Sequence, residues 1–348
     1  MKEIKNLLEK LSNAHGISGH EGNIRAIVEE EIRSYVDEVR MDKLGNLIAT
    51  KEGTSPSIML AAHMDEIGLM VKYVDDDGFI KFVKVGGWFD QTLLNQRVIL
   101  HTEKGMLTGV IGSKPPHRMK EEEKKKVIEA DDMFIDVGAT SKKDALKLGI
   151  RAGTSITIDR ELRPLANDMV TGKAFDNRAG LVMLIEALKR TNAEVTVHAV
   201  GTVQEEVGLK GAKTSAFGLS PDVAIATEIT ITGDHPGIEK KDSAIEIGKG
   251  PSLTVLDASG RGLITSEPVL RWLRETAEKN KIPYQLDVSS GGTTDATAIQ
   301  LTKAGIPSGT VSLPTRYVHS PVEVISLRDL DRCAELIARS IETVDRYF

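Results

Sequence analysis

VTVHAVGTVQEEVG, residues 195–208, is an apolar run that ends on the polar triplet Gln204, Glu205 and Glu206. It predicts a buried strand that presents two adjacent carboxylates at its carboxyl end, which is the end where ligands bind in open α/β sheets. Adjacent carboxylates repel each other, so both are ionised only beside a cation, or one keeps a proton and acts as an acid or base. A Glu-rich surface turn is the alternative interpretation of this stretch taken alone.

Length and composition limit the class of protein. The chain has 348 residues, more than one ordinary domain of about 100 to 200 residues, so we expect two structural units. No apolar run approaches the roughly 18 to 20 residues of a membrane helix, and residues 1–11 lack the apolar core of a secretory signal. We therefore expect a cytoplasmic protein that does not bind membranes. The net charge is −6 and no basic stripe occurs, which argues against a nucleic-acid partner and favours a small substrate.

The pattern of predicted strands and helices divides the chain into three parts. Residues 1–66 and 164–348 alternate predicted strands with helical patterns, which is typical of one α/β domain with a mixed sheet flanked by helices. Residues 67–163 instead contain short alternating segments separated by Gly turns, which predict an inserted all-β barrel or sandwich. The fold class is therefore α/β with an all-β insertion, in which 1–66 and 164–348 are two parts of the catalytic domain.

Two histidines and three carboxylates follow predicted strands, namely His63, Asp176, Glu206, Glu228 and His319. His63 ends the strand 57–62 and precedes Asp65 by two residues, so the Asp65 carboxylate is placed to accept the second ring N–H of a metal-bound imidazole. Asp176 precedes a predicted helix, where an ordinary N-cap is the alternative interpretation. Glu228 ends the strand 223–227. His319 follows the strand 308–313, whereas His198 lies inside the run 195–203 and is interpreted as a core histidine.

This set has the composition that a two-metal hydrolase needs. Two metals that share one bridging carboxylate need a terminal His and a terminal carboxylate each, with open positions for water. The mixed nitrogen and oxygen donors favour Zn or Co over Ca or Mg. The chain has no G-x-S-x-G motif and no Gly-rich phosphate loop after the first strand, so a serine hydrolase or a nucleotide enzyme is poorly supported.

Five motifs resemble those of the tetrahedral aminopeptidase family, and the similarity runs through essentially the whole chain. Members of this family are also called glutamyl or deblocking aminopeptidases or endoglucanase-like proteins. The motifs, in order, are AAHMDEIG (61–68), TGKAFDNRAG (171–180), TVQEEVG (202–208), GGTTDA (291–296) and RYVHSPVE (316–323). The resemblance implies a cytoplasmic dinuclear metallo-aminopeptidase that removes amino-terminal residues from short peptides with a metal-activated water.

The resemblance also implies roles for individual residues. Asp176 would bridge two divalent metals, Zn or Co, with His63 and Glu228 completing one site and Glu206 and His319 the other. Glu205 would be the general base and Asp65 the residue that orients His63. Asp295, in the GGTTDA turn before a helix, would help to bind substrate, although it is equally consistent with a helix cap. The 67–163 insertion would be a PDZ-like dimerisation domain, and dimers would assemble into a dodecamer.

One departure from the family pattern affects specificity. Many members have Asp in a pattern like I-D-V-T, where this chain has Thr227-Glu228-Ile229-Thr230. The longer carboxylate still ligates a metal but changes the space near the substrate amine. Two alternatives therefore stay open at this stage, namely a carboxypeptidase or deacylase on the same dinuclear core and a metal-stabilised scaffold without activity. The preferred amino-terminal residue also stays open.

Overall fold

A computed structural model describes all of residues 1–348 and contains two sheets, one open and one closed into a barrel. The seventeen strands are β1 (Glu38–Met41), β2 (Leu47–Lys51), β3 (Thr54–His63), β4 (Gly68–Val74), β5 (Ile80–Val85), β6 (Arg97–Thr102), β7 (Gly105–Gly112), β8 (Phe134–Asp136), β9 (Ser155–Ile158), β10 (Arg163–Pro164), β11 (Met169–Gly172), β12 (Val195–Thr202), β13 (Val223–Ile231), β14 (Ser252–Leu256), β15 (Gln285–Val288), β16 (Ser308–Arg316) and β17 (Glu323–Ser326). The nine α-helices are α1 (Lys2–Asn13), α2 (Gly22–Ile32), α3 (Glu121–Lys124), α4 (Lys142–Lys147), α5 (Phe175–Arg190), α6 (Lys210–Leu219), α7 (Glu267–Lys279), α8 (Asp295–Gln300) and α9 (Leu327–Ile341).

The open sheet has eleven strands and is mixed. Its main path runs β1-β2-β12-β3-β13-β16-β17-β11-β10, while β14 pairs with β16 and β15 pairs with β14. The four central strands β12, β3, β13 and β16 are mutually parallel, and the strands on both sides of them are antiparallel. The carboxyl ends of the four central strands therefore meet along one edge, where the topology of an α/β sheet places ligand sites.

The insertion forms a closed six-stranded barrel in the order β4-β5-β8-β7-β6-β9. Its interior is a separate hydrophobic core of 17 buried residues, while the α/β unit has its own larger core of buried side chains. Two separate cores support the expectation of two structural units, and the predicted α/β fold with an all-β barrel is confirmed. The boundaries 66/67 and 163/164 stay predictions, with every barrel strand lying between Gly68 and Ile158.

The structure extends some of the predicted strands. The strand predicted over 223–227 continues to Ile231, because it pairs with β16 from Ala224 to Ile231. His198 is half-buried and lies 3.1 Å from the Thr50 hydroxyl, away from the candidate ligands. Cys333 is a free cysteine that is buried in the core. None of the helices combines the length and the apolar content that a membrane span requires.

Candidate metal centre

Five chain segments bring the predicted ligands together at one edge of the open sheet. His63 is the last residue of β3, and Glu205 and Glu206 follow β12, whose last residue, Thr202, pairs with His63. Glu228 lies near the end of β13, and Asp176 lies in the first turn of α5. The remaining ligand, His319, follows β16 in a left-handed conformation with φ of 58°. All five side chains that were predicted to bind metal, together with Glu205, line one cavity.

Asp176 lies between the two histidines. Its Oδ1 is 3.2 Å from Nε2 of His63, and its Oδ2 is 3.4 Å from Nε2 of His319. The His63, Asp176 and Glu228 donor atoms all lie within 4.8 Å of one another, and so do those of Asp176, Glu206 and His319. The geometry therefore gives two three-residue groups that share the Asp176 carboxylate, while Glu205 and Glu206 form a third group with His63. Asp176 is not the N-cap of α5, since the helix begins one residue earlier, at Phe175, after Ala174.

His63 is held by its neighbour Asp65, although mainly through the backbone. The Nδ1 of His63 lies 3.0 Å from the Asp65 carbonyl oxygen and 3.6 Å from the Asp65 carboxylate. Because a carbonyl oxygen only accepts hydrogen bonds, Nδ1 carries a proton, and Nε2 is the ring nitrogen that faces Asp176 and can bind a cation once it is deprotonated. The carboxylate instead accepts the Ser18 hydroxyl at 2.6 Å and the backbone N–H groups of Glu205 and Glu206 at 3.0 and 3.1 Å. Asp65 thus orients both the imidazole and the turn that carries the two Glu residues.

His319 is oriented by the inserted barrel unit. Its Nδ1 lies 3.1 Å from the carbonyl oxygen of Gly87, which belongs to the loop after β5, and its Nε2 lies 3.3 Å from Glu206 Oε2. A Cβ added at Gly87 would approach Nδ1 to 2.8 Å, so only glycine fits at this position without displacing the ring. No local pattern predicts this contact, because Gly87 and His319 are 232 residues apart.

Glu323 is a second residue that the sequence analysis did not single out, although it ends the RYVHSPVE motif. Its carboxylate is buried and accepts the backbone N–H groups of Asp176 at 3.1 Å and His319 at 3.2 Å. Glu323 therefore fixes the backbone of one ligand from each of two distant segments. The feature of the sequence that could have identified Glu323 is its position four residues after His319.

Glu228 is buried in the wall of the site. The Asn177 amide donates to its Oε2 at 2.8 Å, while Oε1 is buried without any hydrogen-bond partner. Asp295 lies behind the site. It is fully buried, its Oδ2 accepts the Thr202 hydroxyl at 2.5 Å, and it does not line the cavity, although Gly291–Thr294 of the same turn do. Burial raises the pKa of Asp295 to about 6, against the hydrogen bond from Thr202, which lowers it.

The residues of this site fit a pair of divalent cations. Burial raises the pKa of Glu205, Glu206 and Glu228, and the charge of the Asp176 carboxylate raises each of them further, so the protein alone supplies too little positive charge here. Burial lowers the pKa of His319, but hydrogen bonds to Asp176 and Glu206 outweigh it and raise the pKa to about 11, as expected of an imidazole drawn towards a cationic state. The unpartnered Glu228 Oε1 is an acceptor without a donor, which is costly unless a cation binds it. Imidazole and carboxylate donors in groups of three suit Zn or Co.

The cavity over the site is large enough for a short peptide end. It has a volume of about 830 Å³ and is lined by 25 residues, none of which is Lys or Arg. Glu205 lines it with its carboxylate 3.8 Å from His63 Nε2, and Glu206 lies closer to His319. Glu205 is therefore the carboxylate of the pair that is placed to exchange protons with a ligand.

Comparisons with known proteins extend over nearly the whole chain. The family of M42 glutamyl aminopeptidases matches residues 45–336. A putative aminopeptidase of Acetivibrio thermocellus is 42% identical over 98% of this chain and 99% of its own length. The solved structure of an aminopeptidase from the archaeon Desulfurococcus kamchatkensis is 46% identical, covers 98% of this chain and 95% of its own, and superposes with a TM-score of 0.94. A TET1 peptidase from Pyrococcus horikoshii, which assembles into a tetrahedron or a large octahedral shell, is 37% identical over 97% of this chain and 98% of its own, with a TM-score of 0.87.

Proposed function

Because this chain belongs to the M42 glutamyl aminopeptidase family and is an aminopeptidase, we propose that it works with two divalent cations, Zn or Co, bridged by Asp176. His63 and Glu228 hold one cation, and Glu206 and His319 hold the other. The observation that carries this proposal is the position of the Asp176 carboxylate, whose two oxygens lie 3.2 and 3.4 Å from the Nε2 atoms of two different histidines. A carboxylate shared in this way is the arrangement that two-metal hydrolases use.

Individual residues of the chain then have separate roles in peptide hydrolysis. When bound, the cations supply positive charge that acidifies water and stabilises the negative charge that develops on the scissile carbonyl oxygen. Glu205 takes the proton of the attacking water and then gives it to the leaving amine. The Asp65 carboxylate holds the backbone of Glu205, and the Asp65 carbonyl holds the His63 ring. Asp295 supports the site from behind through Thr202, and a direct contact with substrate stays a prediction.

The charge of the cavity supports attack from the amino end of a peptide. A free α-amine has a pKa of about 7.7 to 8.0, and a wall of carboxylates favours its cationic form. Lys and Arg form the strongest hydrogen bonds to a substrate carboxylate, and neither residue type lines this cavity. The carboxypeptidase alternative therefore has no support in the site, and the scaffold alternative is set aside because the chain is an aminopeptidase.

We propose that the chain also self-associates, first into dimers through residues 67–163 and then into a dodecamer that admits short peptides. Large apolar side chains are exposed on the barrel strands, with Tyr73 49%, Val83 40%, Met106 71% and Val110 45% exposed. Exposed apolar groups of this kind are typical of surfaces that bind another chain. The solved relative from Pyrococcus horikoshii assembles into a closed shell.

The experiment that tests the dinuclear centre is elemental analysis of an Asp176→Ala variant. The native protein should carry about two metals per chain after saturation, and the variant should lose both, since neither three-residue group survives without the shared carboxylate. Asp242→Ala is the matched control, because Asp242 lines the same cavity but is exposed and belongs to neither group. An Asp176→Ala protein that keeps both metals would rule out the bridge.

A further inference from the structure

The cavity has a second group of carboxylates away from the proposed metal ligands. Asp257 follows β14 and Asp287 lies on β15, and both line the cavity. The two strands are parallel neighbours, and Asp287 pairs with Thr254, which also lines the cavity. We call Asp257 and Asp287 the acidic pair. Neither residue has a salt-bridge partner, and no Lys or Arg lines the cavity that they share.

Asp257 is a buried carboxylate that is only half satisfied. It is 5% exposed, and its Oδ1 accepts the Leu263 backbone N–H at 2.6 Å, while Oδ2 is buried without a hydrogen-bond partner. The carboxylate is fixed in place, since a Cβ at Gly262 would come within 1.9 Å of Oδ1. A buried anionic oxygen without a donor costs free energy, which a cationic ligand would recover.

A contact of Asp287 shows how far the acidic pair lies from the proposed metal centre. The Thr230 hydroxyl donates to Asp287 Oδ2 at 2.9 Å, and Thr230 lies two residues after Glu228 on β13. Residues two apart on a strand share a face and are about 7 Å apart. The acidic pair therefore lies about one extended side chain away from the Glu228 carboxylate. Burial raises the pKa of both residues of the pair, and the charge of Asp287 raises the pKa of Asp257 further.

We infer that the acidic pair binds the side chain of the substrate's first residue and selects Lys or Arg. This inference rests on the proposed function, since it assumes that the first residue lies over the metal centre. The ammonium of lysine sits on a four-carbon stem, and the guanidinium of arginine presents several donors in a plane, so both can reach past Glu228 to the acidic pair. An acidic first residue would bring a negative charge to a wall without a cationic side chain. The glutamyl preference in the family's description is therefore not expected for this chain.

Lysine and norleucine provide a matched pair of probes, because they share the aliphatic stem and differ in the terminal ammonium. With the metal-loaded protein, aminoacyl p-nitroanilides of Lys, norleucine and Glu should give kcat/KM at least ~10-fold higher for Lys than for norleucine, since only the lysine ammonium can donate charge-assisted hydrogen bonds to the acidic pair. Glu should be the poorest of the three. Calorimetric titration with free lysine and free norleucine gives a second readout that needs no turnover, and lysine should bind at least ~10-fold more tightly.

Asp257→Asn and Asp287→Asn should each reduce the ratio of kcat/KM for Lys to that for norleucine at least ~10-fold. If Asp257→Asn fails to fold because Asp257 is buried, Asp287→Asn still tests the inference, because Asp287 is only half-buried. Asp242→Asn is the control, since it removes the same charge from an exposed position on the same wall and should preserve the ratio. Equal ratios in the native protein and both acidic-pair variants, with turnover intact, would overturn the inference and leave the aminopeptidase standing. Failure to release the first residue from any substrate would instead count against the proposed function.

Discussion

Replacement of Gly87 by Ala should weaken one metal site and spare the other. The new Cβ would lie 2.8 Å from Nδ1 and 3.1 Å from Cε1 of His319, which is closer than side chains pack, so the ring must shift. The shift would lengthen the 3.1 Å hydrogen bond from Nδ1 to the Gly87 carbonyl, the contact that fixes the ring. Loss of such an orienting partner typically costs 10- to 100-fold in metal affinity, about 1.4 to 2.7 kcal/mol. Only the Glu206 and His319 site should be affected.

The assay is a titration of metal-free protein with Co or Zn, followed by calorimetry or by competition with a chromogenic chelator. The native protein should fill two sites, and the Gly87→Ala protein should fill one with native affinity and one with affinity reduced 10- to 100-fold. Gly218→Ala is the control, because Gly218 lies in α6 with open space around its Cα and should show native binding. Two sites of native affinity in Gly87→Ala would refute the claim that the barrel loop orients His319.

Three further predictions concern catalysis, recognition of the α-amine and assembly. Glu205→Gln should keep both metals and the native melting temperature while kcat falls at least ~100-fold, the low end for general acid–base catalysis, and near-native turnover would mean that another group handles the proton. Peptides with an acetylated amino end should be cleaved at least ~100-fold more slowly than free peptides, about 2.7 kcal/mol, as followed by mass spectrometry, and equal rates would contradict recognition of the α-amine. Met106→Glu combined with Val110→Glu should reduce the particle to smaller species in light scattering, whereas an unchanged particle would locate the dimer interface outside these strands.

The elements that could be predicted from sequence are those governed by local patterns. The apolar run 195–203 indicated β12, and the His and carboxylate residues after apolar strands indicated the cluster that lines the cavity, because a parallel sheet brings the ends of its strands to one edge. The short alternating segments separated by Gly turns in residues 67–163 indicated the barrel. The short strands β10, β11, β14 and β17 were not predicted, since each is brief and its pairing is set by a distant partner.

The residues that the sequence did not reveal act through tertiary contacts. Glu323 binds the backbone of Asp176, which is 147 residues away, and Gly87 binds a ring that is 232 residues away. The role of Asp65 was predicted for its carboxylate, whereas its carbonyl makes the shorter contact with His63. A spacing of two residues brings the whole residue near the ring but does not determine which of its oxygens faces it. Local spacing thus predicts proximity, and hydrogen-bond assignments need the folded chain.

The Gly87 contact connects the inserted barrel to the chemistry of the open sheet. The loop that carries Gly87 is held to the barrel, because Trp88 Nε1 donates to the Gly68 carbonyl at 3.0 Å, and it reaches the metal centre through His319. A cation that binds His319 in the fixed orientation therefore also favours the docked loop, and the docked loop favours the cation, since such coupling is reciprocal. Metal binding should stabilise the folded chain as ligands that bind only the native state do, and part of that stabilisation is carried by the 86–89 loop. The insertion is then an orienting partner of one metal ligand, whatever role it has in assembly.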